Sequence, residues 1–227
     1  MTRQIVLDTE TTGLEPRQGH RVIELAAVEM LNRSLTGRRF HRYLNPERDI
    51  DEGARQVHGI SLDFLQDKPR FADVADEFLD FAAGAELIIH NAPFDLAFLA
   101  VELDLAGRRP SWREAVLDTL VMARERHPGQ RNNLDALCKR YAIDNSGRSL
   151  HGALLDCELL AAVYLAMTRG QESLLMVDEQ QSVSRLGTRR ARPVTMLADA
   201  ADAEQHARLL QAIQAESGGA CLWLRDA

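Results

Sequence analysis

The side chains best suited to chemistry lie in three short stretches far apart in the chain. Asp8 and Glu10 flank Thr9 at the end of the apolar run Ile5-Val-Leu-Asp8. Residues i and i+2 of a strand point to one side, so both carboxylates can reach a common site. Asp8 also follows three apolar residues, where an unpaired charge is costly. Thr11-Thr-Gly13 then lets the backbone pass close to something. Alone, Asp-x-Glu reads as a solvated strand end. The second stretch, His90-Asn-Ala-Pro-Phe-Asp95, places Asp95 in the first turn of a helix leaving a buried strand. A carboxylate there also complements the helix dipole, worth about 0.3–1 kcal/mol, and in isolation that is the simpler reading. The third is Leu150-His-Gly-Ala-Leu-Leu-Asp156. Asp156 sits among Leu154, Leu155, Leu159 and Leu160 in a helix apolar nearly all round, so it must be paired, protonated or bound to metal. His151 stands just before or within the first turn of that helix and can swing toward the same region.

Four carboxylates with no Cys or His cluster form a hard, oxygen-rich donor set, which favours magnesium or manganese over zinc. Two such ions about 3.5–4 Å apart would clamp an in-line phosphoryl displacement. A histidine with a pKa near neutrality is then a natural base for the attacking water.

The elements that must hold these residues are legible in outline. Ile5–Asp8 reads as a short buried strand, Val22–Met30 as a second and Arg39–Leu44 as a third, with Gly37 at the turn between the last two. Phe71, Val74, Phe78, Leu79 and Phe81 recur at helical spacing up to Gly84. Leu87–His90 is a buried strand, Asn91 a cap for the next helix, and Pro93 sits in that helix's first turn. Val116–Asp118 predicts one more strand, with helices from Thr119, from about Asn133 and from about Gly152 to Met167. Strands leading, then alternating with helices, imply an α/β domain with a mixed sheet covered by helices.

The polar, basic segment Gln180–Pro193 has no hydrophobic period and reads as a flexible linker. Beyond it, Asp199–Ala215 predicts an amphipathic helix using Leu209, Leu210 and Ile213, before the apolar finish Ala220-Cys-Leu-Trp-Leu224. So short a segment cannot build its own core. It reads as a docking segment for another protein, the alternative being that it folds back on its own domain. The divisions expected are 1–176, 177–193 and 194–227.

Composition bounds the rest. The chain has 227 residues, 45% hydrophobic and 27% charged, enough for a packed core plus an appendage. Its longest uncharged apolar run, Leu159–Met167, is far short of the roughly 20 residues that span a bilayer. The N-terminus lacks a signal-peptide pattern, and Cys138, Cys157 and Cys221 form no cluster, so a cytoplasmic protein with reduced thiols is expected. The net charge of −7 looks wrong for nucleic acid, but setting aside four acidic metal ligands leaves −3. Charge therefore argues against a wide duplex-binding surface, not against gripping a strand end.

The three motifs, in this order, resemble the DEDD exonuclease superfamily: Asp8-Thr-Glu-Thr-Thr-Gly13, Asn91-Ala-Pro-Phe-Asp95 and His151-x4-Asp156. The superfamily's other branch has a tyrosine four residues before the last Asp; here that position is Gly152, and His151 marks the histidine branch. Val57-His-Gly-Ile60, Asn133-Leu-Asp-Ala-Leu-Cys138, Val163-Tyr-Leu-Ala-Met167 and Gly218-Gly-Ala-Cys-Leu-Trp223 are similar to the proofreading (epsilon) subunits of bacterial DNA polymerase III. The resemblance implies an RNase H-like fold with a flexible C-terminal extension, and a 3′→5′ DNA exonuclease releasing nucleoside 5′-monophosphates. It implies that Asp8, Glu10, Asp95 and Asp156 hold two magnesium or manganese ions and that His151 activates water. Asp8, Glu10, Asp156 and His58 would meet the terminal nucleotide. It further implies docking of 194–227 on the polymerase catalytic subunit, with a small accessory subunit as another partner. Gln171–Met176 stands where the family contacts a sliding clamp, although Met176 replaces its frequent Phe and a plain helix end is the other reading. A family acidic substrate contact falls at Gly53, beside Glu52. Two rival functions share the chain: an RNA-trimming exonuclease with the same chemistry, which has no need of a docking tail, and an assembly module with a disused acidic site.

Overall fold

The structure, a computed structural model, describes residues 2–109, 116–148, 150–169, 200–216 and 218. They fall in two units, Met1–Val177 and Asp178–Ala227.

The first unit opens on three antiparallel strands, β1 (Arg3–Thr11), β2 (Val22–Leu31) and β3 (Ser34–Tyr43). The β2–β3 hairpin turns at Asn32 and Arg33, whose φ values of 48° and 65° are those of a two-residue turn matched to the strand twist. Gly37, expected at that turn, lies inside β3 with φ 82°, near an irregularity in its pairing with β2. Glycine admits the left-handed conformation such a bulge needs, so the third strand starts at Ser34 rather than near Arg39.

Helices α1 (Glu52–His58), α2 (Leu62–Leu65) and α3 (Phe71–Ala82) lead to β4 (Glu86–Ile89), which pairs with β1 in parallel. Helix α4 (Ala92–Leu105) precedes β5 (Val116–Asp118), parallel to β4. Helices α5 (Thr119–Arg126), α6 (Leu134–Arg140) and α7 (Ala153–Met167) follow. The sheet order is β3-β2-β1-β4-β5, the mixed α/β sheet the sequence implied.

Two cores flank this sheet. Ile5 and Leu7 of β1 pack on one side with Phe71, Phe78 and Phe98 of α3 and α4. Val6 packs on the other with Leu137, Leu160 and Val163 of α6 and α7. Each fully buried side chain of this kind contributes roughly 1.5–3 kcal/mol. The alternation also sorts the end of β1: Asp8 and Glu10 continue the Val6 face, toward α7, while Thr9 continues the Ile5–Leu7 face, toward α4.

In the second unit, α8 (Ala200–Glu216) exposes Leu209 and Ile213, four residues apart on one face, and pairs Arg208 with Glu204 at 2.6 Å. The linker 177–193, the Gln171–Met176 segment and the tail's Cys221-Leu-Trp223 lie outside the described residues. Among the described residues, no helix is long and apolar enough to cross a membrane. Cys138 and Cys157 are buried free thiols.

Candidate active site

One cavity of about 790 Å³ is lined by Asp8, Glu10, His58, Asp95, His151 and Asp156, together with Arg148 and Asp135. All six residues singled out in the sequence therefore meet in one place. The cavity lies where β1 ends and the parallel strand β4 passes into α4, the end of an α/β sheet at which connections part and leave a crevice.

Each group is delivered by a different local device. Asp8 and Glu10 come from one face of β1. Asp95 comes from the first turn of α4, on the other side of the sheet, and Thr9 reaches it: the hydroxyl donates to Asp95 at 2.7 Å. Asn91 does not cap this helix with its side chain. Its φ of 67° is a left-handed turn that Asn tolerates, and the cap comes from Asp118, which accepts from the N–H groups of Asn91 and Ala92 at 3.1 Å each. The same carboxylate accepts from Leu120 N–H at 2.8 Å, so it caps α5 as well.

Helix α7 brings Asp156, and its start is pinned twice. Glu24 of β2, fully buried, accepts from Ala153 N–H at 3.2 Å and bonds His41 at 2.7 Å. One residue before the N-cap, His151 N–H donates to Val57 carbonyl at 3.0 Å, which ties the histidine to α1. Leu150 then covers Gly59, where an added Cβ would fall 2.5 Å from its side chain at a φ of +70°. Gly13 serves a similar end: a Cβ there would meet the ring of His20 at 2.3 Å, so the close approach anticipated in the sequence is to the chain's own histidine.

Burial dominates the electrostatics. It raises Asp8 well above the usual carboxylate range, helped by the charges of Asp95, Glu10 and Asp156. It lifts Glu10 to about 8, with Glu24 and Asp156 adding to the effect. Asp95 rises to about 7 through burial, although the bond from Thr9 and backbone N–H groups pull it back. His151 is lowered by burial and by the charge of Arg148, which keeps the imidazole neutral. His58 is lowered chiefly by burial, with a backbone hydrogen bond to Thr11 working the other way; its Nδ1 accepts from Ile60 N–H at 3.0 Å.

The sequence reading did not single out Arg148, whose side chain is 5% exposed and grips Asp156 with two bonds of 2.5 and 2.6 Å. The one available signal was the need of a buried Asp156 for a partner. Glu10, His151 and Asp156 present potential metal-ligand atoms within 4.8 Å of one another. Oxygen-dominated donors gathered in one cavity fit a hard divalent cation.

The family model described as Exonuclease matches residues 5–164, well over half the chain. The chain is 55% identical to the DNA polymerase III subunit epsilon of Rickettsia felis, over 82% of this chain and 83% of that protein. It is 49% identical to the same subunit of Escherichia coli K12, over 98% of both chains. Exonuclease X, solved in complex with 5′ overhanging duplex DNA, is 26% identical, with a TM-score of 0.59 over 74% of this chain and 92% of its own. The shared architecture is the RNase H-like mixed sheet. By sequence along nearly its whole length and by fold, the chain belongs to the exonuclease family and, within it, to the DNA polymerase III epsilon subunits.

Proposed function

We propose that Asp8, Glu10, Asp95 and Asp156 hold two magnesium or manganese ions, that His151 is the general base, and that His58 meets the terminal nucleotide. As a member of its family the chain is a divalent-metal-dependent 3′→5′ proofreading exonuclease that works on DNA with a polymerase. The observation that carries the residue assignment is the convergence of four carboxylates and His151 on one cavity, with Asp8, Glu10 and Asp95 raised chiefly because burial disfavours their ionisation.

Ions held by these carboxylates would supply stabilisation of the charge that develops on oxygen in a phosphoryl displacement. The chain's own groups do the rest. His151, held neutral, takes the proton of the attacking water on a ring nitrogen. His58, on the cavity wall, meets the nucleotide at the strand end. Thr9 keeps Asp95 turned toward β1. The products are a nucleoside 5′-monophosphate and a strand shortened by one residue. A mismatched end frays at lower cost than a paired one, which supplies selectivity without reading the bases.

The catalytic domain is 1–176, with 177–193 as a flexible linker and 194–227 as the segment that docks on the polymerase catalytic subunit. The exposed Leu209 and Ile213 of α8 support that docking. Gln171–Met176 provides a clamp contact, a small accessory subunit binds the catalytic domain, and the assembly works in the cytoplasm. The test of the site is manganese-dependent degradation of a primer with a 3′ mismatch, comparing wild type with Asp8→Ala. Stepwise loss from the 3′ end, absent in a folded Asp8→Ala variant, is expected. Equal cleavage by the variant would overturn the assignment.

A further inference from the structure

Among the described residues lining the cavity, Arg148 is the one Arg or Lys. Its guanidinium makes four contacts. Nε donates to Asp156 Oδ1 at 2.5 Å and Nη2 to Oδ2 at 2.6 Å, a two-pronged bond that engages both carboxylate oxygens. Nη1 donates to Asp135 Oδ1 at 2.8 Å. Nη2 also lies 3.1 Å from His151 Nδ1. A guanidinium can only donate, so Nδ1 is the acceptor and the proton of the neutral ring sits on Nε2. One side chain thus engages both oxygens of a proposed metal ligand and the ring nitrogen through which the proposed base can accept a proton.

A second carboxylate is in place to keep Arg148 if those contacts break. Asp135 is half exposed, with 53% of its side chain open to solvent, and Asn145 holds it at 3.0 Å. A guanidinium released from Asp156 therefore retains a charged partner at the cavity edge, and the move does not strand a buried cation.

We propose that Arg148 is a positioning residue that serves as an internal counter-cation, displaced from Asp156 when a divalent ion binds, and that this displacement also frees Nδ1 of His151. The base is then unmasked only in the metal-loaded chain, and metal affinity is set partly by competition with Arg148. The inference rests on the assignment of Asp156 as a metal ligand.

Two measurements on the full chain test it. Manganese affinity is read by electron paramagnetic resonance for wild type, Arg148→Gln, Arg148→Lys and Asp156→Asn. Arg148→Gln is expected to bind manganese about tenfold tighter, the scale of one lost charge-assisted hydrogen bond. Arg148→Lys, which keeps the charge but loses the fork, is expected to fall between it and wild type. A merely structural arginine would instead leave the affinity unchanged or weaken it, and either result would overturn the proposal. Nitrogen-15 NMR of wild type during a magnesium titration reads the displacement itself and needs no variant to fold. The Arg148 Nε–H and His151 Nδ1 signals are expected to move together as the metal saturates. An Nε–H signal unchanged at saturation overturns the proposal even if Arg148→Gln binds tighter. If Asp156→Asn binds manganese like wild type, the site assignment has failed; if it loses manganese while Arg148→Gln gains nothing, the counter-cation idea alone has failed.

Discussion

Burial lifts the Glu10 carboxyl to about 8 and Asp95 to about 7, whereas both titrate near 4 in an unfolded chain. Without divalent ions the folded state therefore holds more protons than the unfolded state across that interval, and stability falls as pH rises through it. With a chelator present, the melting temperature is expected to drop between pH 5 and pH 8, and manganese to restore more of it at pH 8 than at pH 5. A chelated chain whose melting point does not fall over that range would show that the cluster is not destabilised by its own charge. His151→Ala is expected to slow cleavage about 10²–10⁴-fold while leaving manganese affinity near wild type. Cleavage at the wild-type rate would remove His151 from the proposed mechanism. Five of the site residues were legible because each sits in a local pattern: Asp8 and Glu10 two apart on a strand, Asp95 in a first helical turn, and His151 and Asp156 about a helix start. Arg148 belongs to no such pattern. Its role arises when the loop before α7 folds back over Asp156, eight residues later.

At the scale of elements, the site depends on how helix ends are anchored. Asp118 at the end of β5 satisfies N–H groups at the starts of both α4 and α5. Asp118→Ala is expected to cost about 2 kcal/mol, from two caps at roughly 0.5–2 kcal/mol each. It should also slow cleavage by loosening the turn that carries Asp95. Denaturant unfolding checks the first effect and primer degradation the second; a variant as stable as wild type would mean that water replaces the carboxylate without loss. The sequence showed both helices and nearly their true starts and placed the α4 N-cap at Asn91, which is its position, but the side chain that satisfies the N–H groups there is Asp118. The difference has a physical source: a helix start predicts an acceptor, but any residue that the fold carries there can supply it. Gly37 was misread for a related reason, since a glycine marks unusual backbone and does not distinguish a bulge from a turn.

At the scale of the molecule, a net charge of −7 coexists with a nucleic-acid substrate because the acidic excess is partly gathered in the cavity, where cations can offset it. Removing residues 194–227 is expected to leave mononucleotide release intact and to abolish binding to the polymerase catalytic subunit, as checked by primer degradation and co-purification. Loss of both activities would mean that the tail belongs to the catalytic fold. The exposed pair Leu209 and Ile213 gives that docking its testable face.

The sequence by itself determined the mixed α/β architecture, because periodicity encodes it directly, and its local spacing singled out the acidic residues and His151 that the fold brings to one cavity. Tertiary structure alone decided that Thr9 steadies Asp95, that Glu24 pins the start of α7, and that Arg148 grips Asp156 and touches His151. Two of these contacts join residues 86 and 129 positions apart. Such partners meet only after the sheet has ordered and the two cores have packed on its faces, and no local pattern in the chain records which acceptor a donor will then find.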